Sequence, residues 1–154
     1  MDLLTELHQL VQAFKENGVE YALCGGLALA VYAMPRATLD IDIMLEPDTL
    51  SKARDIAAKL GFTLQAHPMD FHHGAVRIHR FTKIDDQTGD HLMLVLLLVT
   101  PTVRAAWESR QTVAYTQGEL QVLSPHGLIL LKSMRNSGQD QDDIAYLRSI
   151  MDED

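Results

Sequence analysis

Apolar residues recur at helical spacing from the start of the chain. Leu3, Leu4, Leu7, Leu10, Val11 and Phe14 form one stripe and Gly18 supplies a stop, which predicts an amphipathic helix over residues 2–17. Glu20 to Cys24 then reads as a short, mostly apolar strand, and Gly25-Gly26 leads it into a helix-compatible apolar run, Leu27 to Tyr32. Leu39 to Leu45 is a second strand, bounded by Pro35 upstream and Glu46-Pro47-Asp48 downstream. Pro47-Asp48-Thr49 opens a helix that reaches Leu60 and closes at Gly61. Strands are expected over residues 63–66 and 75–84, and the loop Asp85 to Gly89 turns the chain into the apolar run Leu92 to Val99. That run reads as a strand buried on both faces.

The remaining pattern predicts a helix over residues 102–110 and a hairpin in which Val113-Ala114-Tyr115 and Leu120 to Leu123 flank Gln117-Gly118. Ser124-Pro125 is an N-cap followed by proline at the first helical position, so a helix should run from there to Asn136. Residues 141–151 make a last helix with Ile144, Leu147 and Ile150 or Met151 inward. Strands and helices alternating in this way predict an α/β (α+β) fold, a mixed sheet flanked by helices. With 154 residues the chain suits one sizeable core, and residues 1–154 are expected to form a single domain.

Charge and composition narrow the function. Thirteen basic against 21 acidic residues give a net charge of −8, which disfavours broad binding to DNA or another polyanion. A large RNA substrate would need a local basic patch, for which Lys132, Arg135 and Arg148 are the C-terminal candidates. The longest apolar run falls far below the roughly 20 residues needed to span a bilayer, so no membrane association is expected. The N-terminus lacks the basic and apolar regions of a signal peptide, and the single Cys24 cannot form an internal disulfide, so a cytoplasmic protein is the expectation. At the end of a core strand, Cys24 reads as a small buried hydrophobe rather than a nucleophile.

Candidate chemistry concentrates in two short motifs. A strand, a glycine turn and a helix N-terminus present free backbone N–H groups, and glycine lets a phosphate approach without a Cβ in the way. After thirteen intervening residues beyond Gly26, Asp40 and Asp42 lie two apart on a strand and project from one face, while Ile41 and Ile43 take the other. Side-by-side carboxylates repel unless a cation neutralises them, and hard oxygen ligands with room for phosphates suit Mg²⁺. Each motif alone is common, as a turn or as two solvated acids; their order within a strand-helix-strand unit is far more specific. His72-His73, with His67 and His79 nearby, lack the helical spacing and paired acid of a zinc enzyme and read as loop and surface histidines.

The stretch Leu23-Cys24-Gly25-Gly26 through Arg36-Ala37-Thr38-Leu39-Asp40-Ile41-Asp42-Ile43 resembles the fingerprint of the nucleotidyltransferase superfamily, and looks like its small bacterial branch that includes AbiEii-type toxins. The resemblance covers most of the chain. It implies Mg²⁺- or Mn²⁺-dependent transfer of a nucleoside monophosphate from an NTP to an acceptor hydroxyl on a protein, an RNA such as tRNA, or a small molecule. Asp40 and Asp42 would hold the metal, and Gly25, Gly26, Arg36, Thr38 and Lys132 the nucleotide. The segment Leu123 to Lys132 is similar to a family helix that opens with Ser-Pro and carries an inward lysine. Arg135, Asp140 and Asp143 resemble the basic-then-acidic close of these domains, in which an aspartate orients that lysine or assists the acceptor; helix capping is an equal alternative for these acids.

One departure matters. The family pattern places a third carboxylate on a later strand, and setting Leu92 to Val99 against it puts Val95 where the acid would be. Asp90 is the nearest acid, in the preceding turn. Either two carboxylates suffice, or the chain keeps the fold and acts as a nucleotide-binding or regulatory partner in a toxin–antitoxin-like pair.

Overall fold

The structure, a computed structural model, describes residues 1–32, 40–135 and 138–152. Helix α1 (Leu3–Glu16) begins where Asp2 accepts the Thr5 N–H at 3.1 Å, and it ends at Asn17 before Gly18 in the left-handed region. Strand β1 (Ala22–Cys24), helix α2 (Gly25–Val31) and strand β2 (Asp40–Leu45) follow. A short 3₁₀ turn with Pro47 at its start feeds α3 (Leu50–Lys59). Strands β3 (Leu64–Gln65), β4 (Met69–Phe71), β5 (Val76–Ile84) and β6 (His91–Leu98) come next, then α4 (Arg104–Glu108) and the hairpin β7 (Gln111–Tyr115) and β8 (Gly118–Val122). Helices α5 (Pro125–Arg135) and α6 (Gly138–Asp152) close the chain.

The strands form one eight-stranded mixed sheet in the order β3-β5-β6-β2-β1-β8-β7, with β4 on β5 off that path. β2 runs parallel to β6 and antiparallel to β1, so it occupies the middle of the sheet. Because residues paired across strands share a face, the register assigns two surfaces. Ile41, Ile43, Leu94, Leu96 and Phe81 lie on one, all buried in the main core. Helix α1 covers that side, where Glu6 takes Lys83 Nζ at 2.8 and 3.0 Å across the layer. Asp40, Asp42, Met93, Val95 and Leu97 lie on the opposite surface.

Helix α6 starts three residues earlier than its apolar periodicity predicts. Its inner face is mixed, with Asp140, Asp143 and Leu147 all fully buried, so the first turn carries charge where a sequence pattern looks for leucine. The carboxyl end of β2 is pinned by Arg104, which grips both Glu46 oxygens at 2.7 and 3.1 Å. That hydrogen-bonded guanidinium holds the Glu46 carboxyl below its ordinary range. Among the described residues, no helix is long and apolar enough to cross a membrane.

Candidate functional site

The site begins at the junction of β1 and α2. Antiparallel pairing sets Cys24 opposite Asp42, and the chain then turns into the helix at Gly25 with φ of +68°. A Cβ at Gly25 would lie 2.6 Å from Asp42 Cγ and 2.7 Å from Asp42 Cβ, inside any real contact distance. Glycine is therefore needed there twice, for its left-handed backbone and for the room it leaves the carboxylate. Gly25→Ala is expected to cost about 1–2 kcal/mol from backbone conformation alone, with more from displacing Asp42. The thermal unfolding midpoint should fall by roughly 2–8 °C; an unchanged midpoint would contradict this tight packing.

Across β2, the parallel register puts Val95 beside Asp42 and Met93 beside Asp40. The position at which a third acid was expected is thus adjacent to Asp42 on the same face, and it holds a valine. Arg36 and Thr38 lie outside the described residues. Cys24 is buried, and burial pushes its thiol well above the ordinary range; the Asp42 charge pushes the same way and Lys132 opposes it. The thiol stays protonated, which agrees with a packing role and not a nucleophilic one.

The cation of the site comes from α5. Ser124 Oγ accepts the Gly127 N–H at 3.2 Å, completing the N-cap that Ser-Pro implies. The helix then carries Lys132 inward, where Nζ sits 2.9 Å from Asp143 Oδ2 and 3.7 Å from Asp140 Oδ1. Asp140 and Asp143 are three residues apart on α6 and so share its inner face. Both are fully buried and the lysine is nearly so. Asp140 also lies in the first turn of its helix, so the dipole and the lysine favour the same charge state.

A cavity of about 550 Å³ brings these groups together, with Gly25, Asp42, Lys132 and Asp140 in its wall. Asp40 is on the same sheet face one pleat repeat earlier. The rest of the lining is mainly apolar, including Val95 and Leu97 of β6 and Ile78 of β5. Strand β6 is consequently not buried on both faces as its composition predicts. Leu92, Leu94, Leu96 and Leu98 are buried, whereas Met93, Val95 and Leu97 are only half-buried and face the cavity side.

Sequence reasoning missed Phe71 and the place of His72 in this wall. They belong to a tight turn joining β4 to β5, in which His72 and His73 have φ of 52° and 56° and Gly74 N–H donates to Phe71 O at 3.1 Å. Positive φ at His72, His73 and Gly74 makes a left-handed four-residue loop between the paired Phe71 and Val76; such φ angles are usually marked by Asn or Gly, and His-His hides the signal. His73 is exposed, in keeping with a surface reading. His79 instead sits half-buried on the face of β5 away from Val95, and burial, reinforced by Arg54, lowers its basicity. Among the described residues, no group of three or more His, Cys, Asp or Glu side chains is placed to hold a metal ion.

Solved structures share this architecture. The lincomycin-bound lincosamide antibiotic adenylyltransferase LnuA superposes with a TM-score of 0.61 at 18% identity, over 95% of this chain and 96% of its own. A Thermotoga maritima protein solved as a candidate nucleotidyltransferase gives 0.61 at 16% identity, over 98% and 93%. The antibiotic-resistance factor ANT(2'')-Ia gives 0.55 at 13% identity, over 97% and 92%. At these identities the likeness concerns the fold. No curated protein matches the sequence significantly. The model of one family, described as an uncharacterised nucleotidyltransferase, matches residues 1–154, and by that match over its whole length the chain belongs to the nucleotidyltransferases of this family.

Proposed function

We propose that this chain transfers a nucleoside monophosphate from an NTP to an acceptor hydroxyl, with Mg²⁺ or Mn²⁺ bound at Asp40 and Asp42. The observation that carries the proposal is the packing of Gly25 against Asp42 in a cavity that also contains Lys132. It sets a glycine turn suited to phosphate beside a carboxylate suited to a hard cation. The donor set fits such an ion, being two carboxylates without thiolate or imidazole. With Val95 offering no ligand, the remaining coordination positions would be filled by phosphate oxygens and water. A bound divalent ion would supply charge neutralisation at the reacting phosphate.

The chain's own residues have separate tasks. Gly25 and Gly26 admit the phosphates close to backbone N–H groups, and Arg36 and Thr38 are assigned to the nucleotide on the motif resemblance alone. Lys132 stands as a cation toward the leaving pyrophosphate, held in place by Asp143 and Asp140. The acceptor oxygen bonds to the α-phosphorus as the bond to the pyrophosphate oxygen breaks. Incubation with α-³²P NTPs should therefore move label onto an acceptor in a Mg²⁺-dependent manner, and EDTA should stop it with recovery on adding Mg²⁺ back.

A second reading is favoured by one specific observation, the valine beside Asp42. A chain lacking the third acid could bind nucleotide without transferring it and serve as a regulatory partner, including in a toxin–antitoxin-like pair of the AbiEii kind. Calorimetry separates the two. Tight nucleotide binding with no label transfer to small molecules, protein or tRNA would favour the regulatory reading over the transferase.

A further inference from the structure

The cavity continues past the carboxylate into a region whose chemistry is specific. From Asp42 it passes over Val95 and Leu97 of β6, then Ile78 and Val76 of β5, to Phe71 at the β4–β5 turn. Leu128, Leu131 and Met134 of α5 line it as well. The register explains the continuity, because Val95 pairs with Asp42 and Leu97 pairs with Ile78 on one sheet face. A volume of about 550 Å³ lies within the range of pockets that enclose small organic molecules.

Three further observations bear on what enters. Phe71 is 41% exposed, a large apolar side chain left at the rim and outside the core. The turn that holds it keeps two non-glycine residues in the left-handed region, at a cost of order 1–3 kcal/mol each, and strain of this kind persists where a rim must be held in one shape. The third is charge. The carboxylates in the lining are Asp42, assigned above to the cation, and Asp140, 3.7 Å from Lys132. Both already face positive partners in the proposed reaction, so among the described residues a polycationic acceptor would meet no further lining carboxylate. Among the described residues, Lys132 is the lining's one Lys or Arg and itself faces two aspartates, so the described wall matches a polyanionic acceptor such as RNA no better.

We infer, resting on the transferase reading, that the acceptor is an uncharged small-molecule alcohol with an apolar body. Its hydroxyl lies at Asp42 and its apolar part runs along Val95, Leu97 and Ile78 to Phe71. The acceptor oxygen forms the new bond to the α-phosphorus, pyrophosphate departs with the electron pair of the broken bond, and the hydroxyl proton is released to water. Val95 is then a specificity residue, since an acid there would place a charge against the apolar part of the acceptor.

The probes that test this are n-hexyl β-D-glucoside, glucose and tobramycin, titrated calorimetrically into the full chain with and without Mg²⁺ and a non-hydrolysable ATP analogue. The alkyl glucoside should bind at least tenfold more tightly than glucose, as burial of several methylenes requires, and tobramycin should bind more weakly than the alkyl glucoside. Val95→Asp should remove the preference for the alkyl chain. Phe71→Ser, at an exposed position outside the core, should weaken alkyl glucoside binding several-fold and leave glucose unchanged. Equal binding of the alkyl glucoside and glucose, tightest binding of tobramycin, or a preference unaffected by Phe71→Ser would overturn the inference. If the alkyl glucoside binds as expected but no Mg²⁺–nucleotide does, the transferase reading itself fails and takes the acceptor assignment with it.

Discussion

Asp42→Ala is expected to bring Mg²⁺-dependent transfer of label to background while the chain remains folded. Asp42 is central on three counts: it neighbours Gly25, it lies opposite Cys24, and it stands beside Val95 on the strand at the middle of the sheet. In the proposed reaction it is one of two carboxylates holding the cation, and the neighbouring strand offers no third to compensate. Loss of a single preorganised electrostatic group commonly lowers turnover by about 10²–10³-fold; loss of half the carboxylates of a metal site should do at least as much. The protein should tolerate the change, since alanine fits a strand and relieves the crowding at Gly25. Measured rates within about tenfold of the parent, a difference of roughly 1.4 kcal/mol in barrier, would remove Asp42 from the mechanism. Asp40→Ala provides a comparison: it shares the sheet face without lining the cavity.

How much of this was legible beforehand depends on the range of the interactions. Gly25 and Asp42 meet through one strand, one turn and one paired strand, so their proximity follows from local grammar, and the parallel pairing of β2 with β6 sets Val95 where the motif comparison placed it. Ser124-Pro125 marks where the helix of Lys132 starts, but the inward direction of the lysine was expected only from the family resemblance. The cavity's apolar wall was not. Leu92 to Val99 is continuously apolar, and a continuous run carries no period from which one face could be told from the other. Strand β4 was missed because it is three residues long and its hairpin turn uses His72-His73 in a conformation that asparagine and glycine normally mark. Likewise α6 buries two aspartates beside Leu147, and a search for apolar periodicity begins such a helix too late.

Those two aspartates lead to the second large effect, Lys132→Met. Methionine keeps most of the length and apolar volume of the lysine stem, so lost packing contributes little, and what changes is the charge. Lys132 Nζ lies 2.9 Å from one fully buried carboxylate and 3.7 Å from another. Removing it takes the Lys132 cation from two carboxylates that solvent reaches poorly, and breaking a buried ion pair from one side costs about 3–5 kcal/mol. For a domain of ordinary stability, about 5–15 kcal/mol, that is a large fraction of the whole. Urea unfolding should show the loss as a lower midpoint at unchanged slope. The cause is checked by rescue. If the penalty arises from uncompensated carboxylates, adding Asp143→Asn and Asp140→Asn to Lys132→Met should recover part of the stability, although the same two changes in the parent should destabilise it. A loss below about 1 kcal/mol, in the range of an exposed pair, or a triple variant no more stable than Lys132→Met would show that the lysine does not serve to neutralise the two acids. Nucleotide binding should follow a different order from stability, because the triple variant regains the fold without regaining the cation that faces the phosphates.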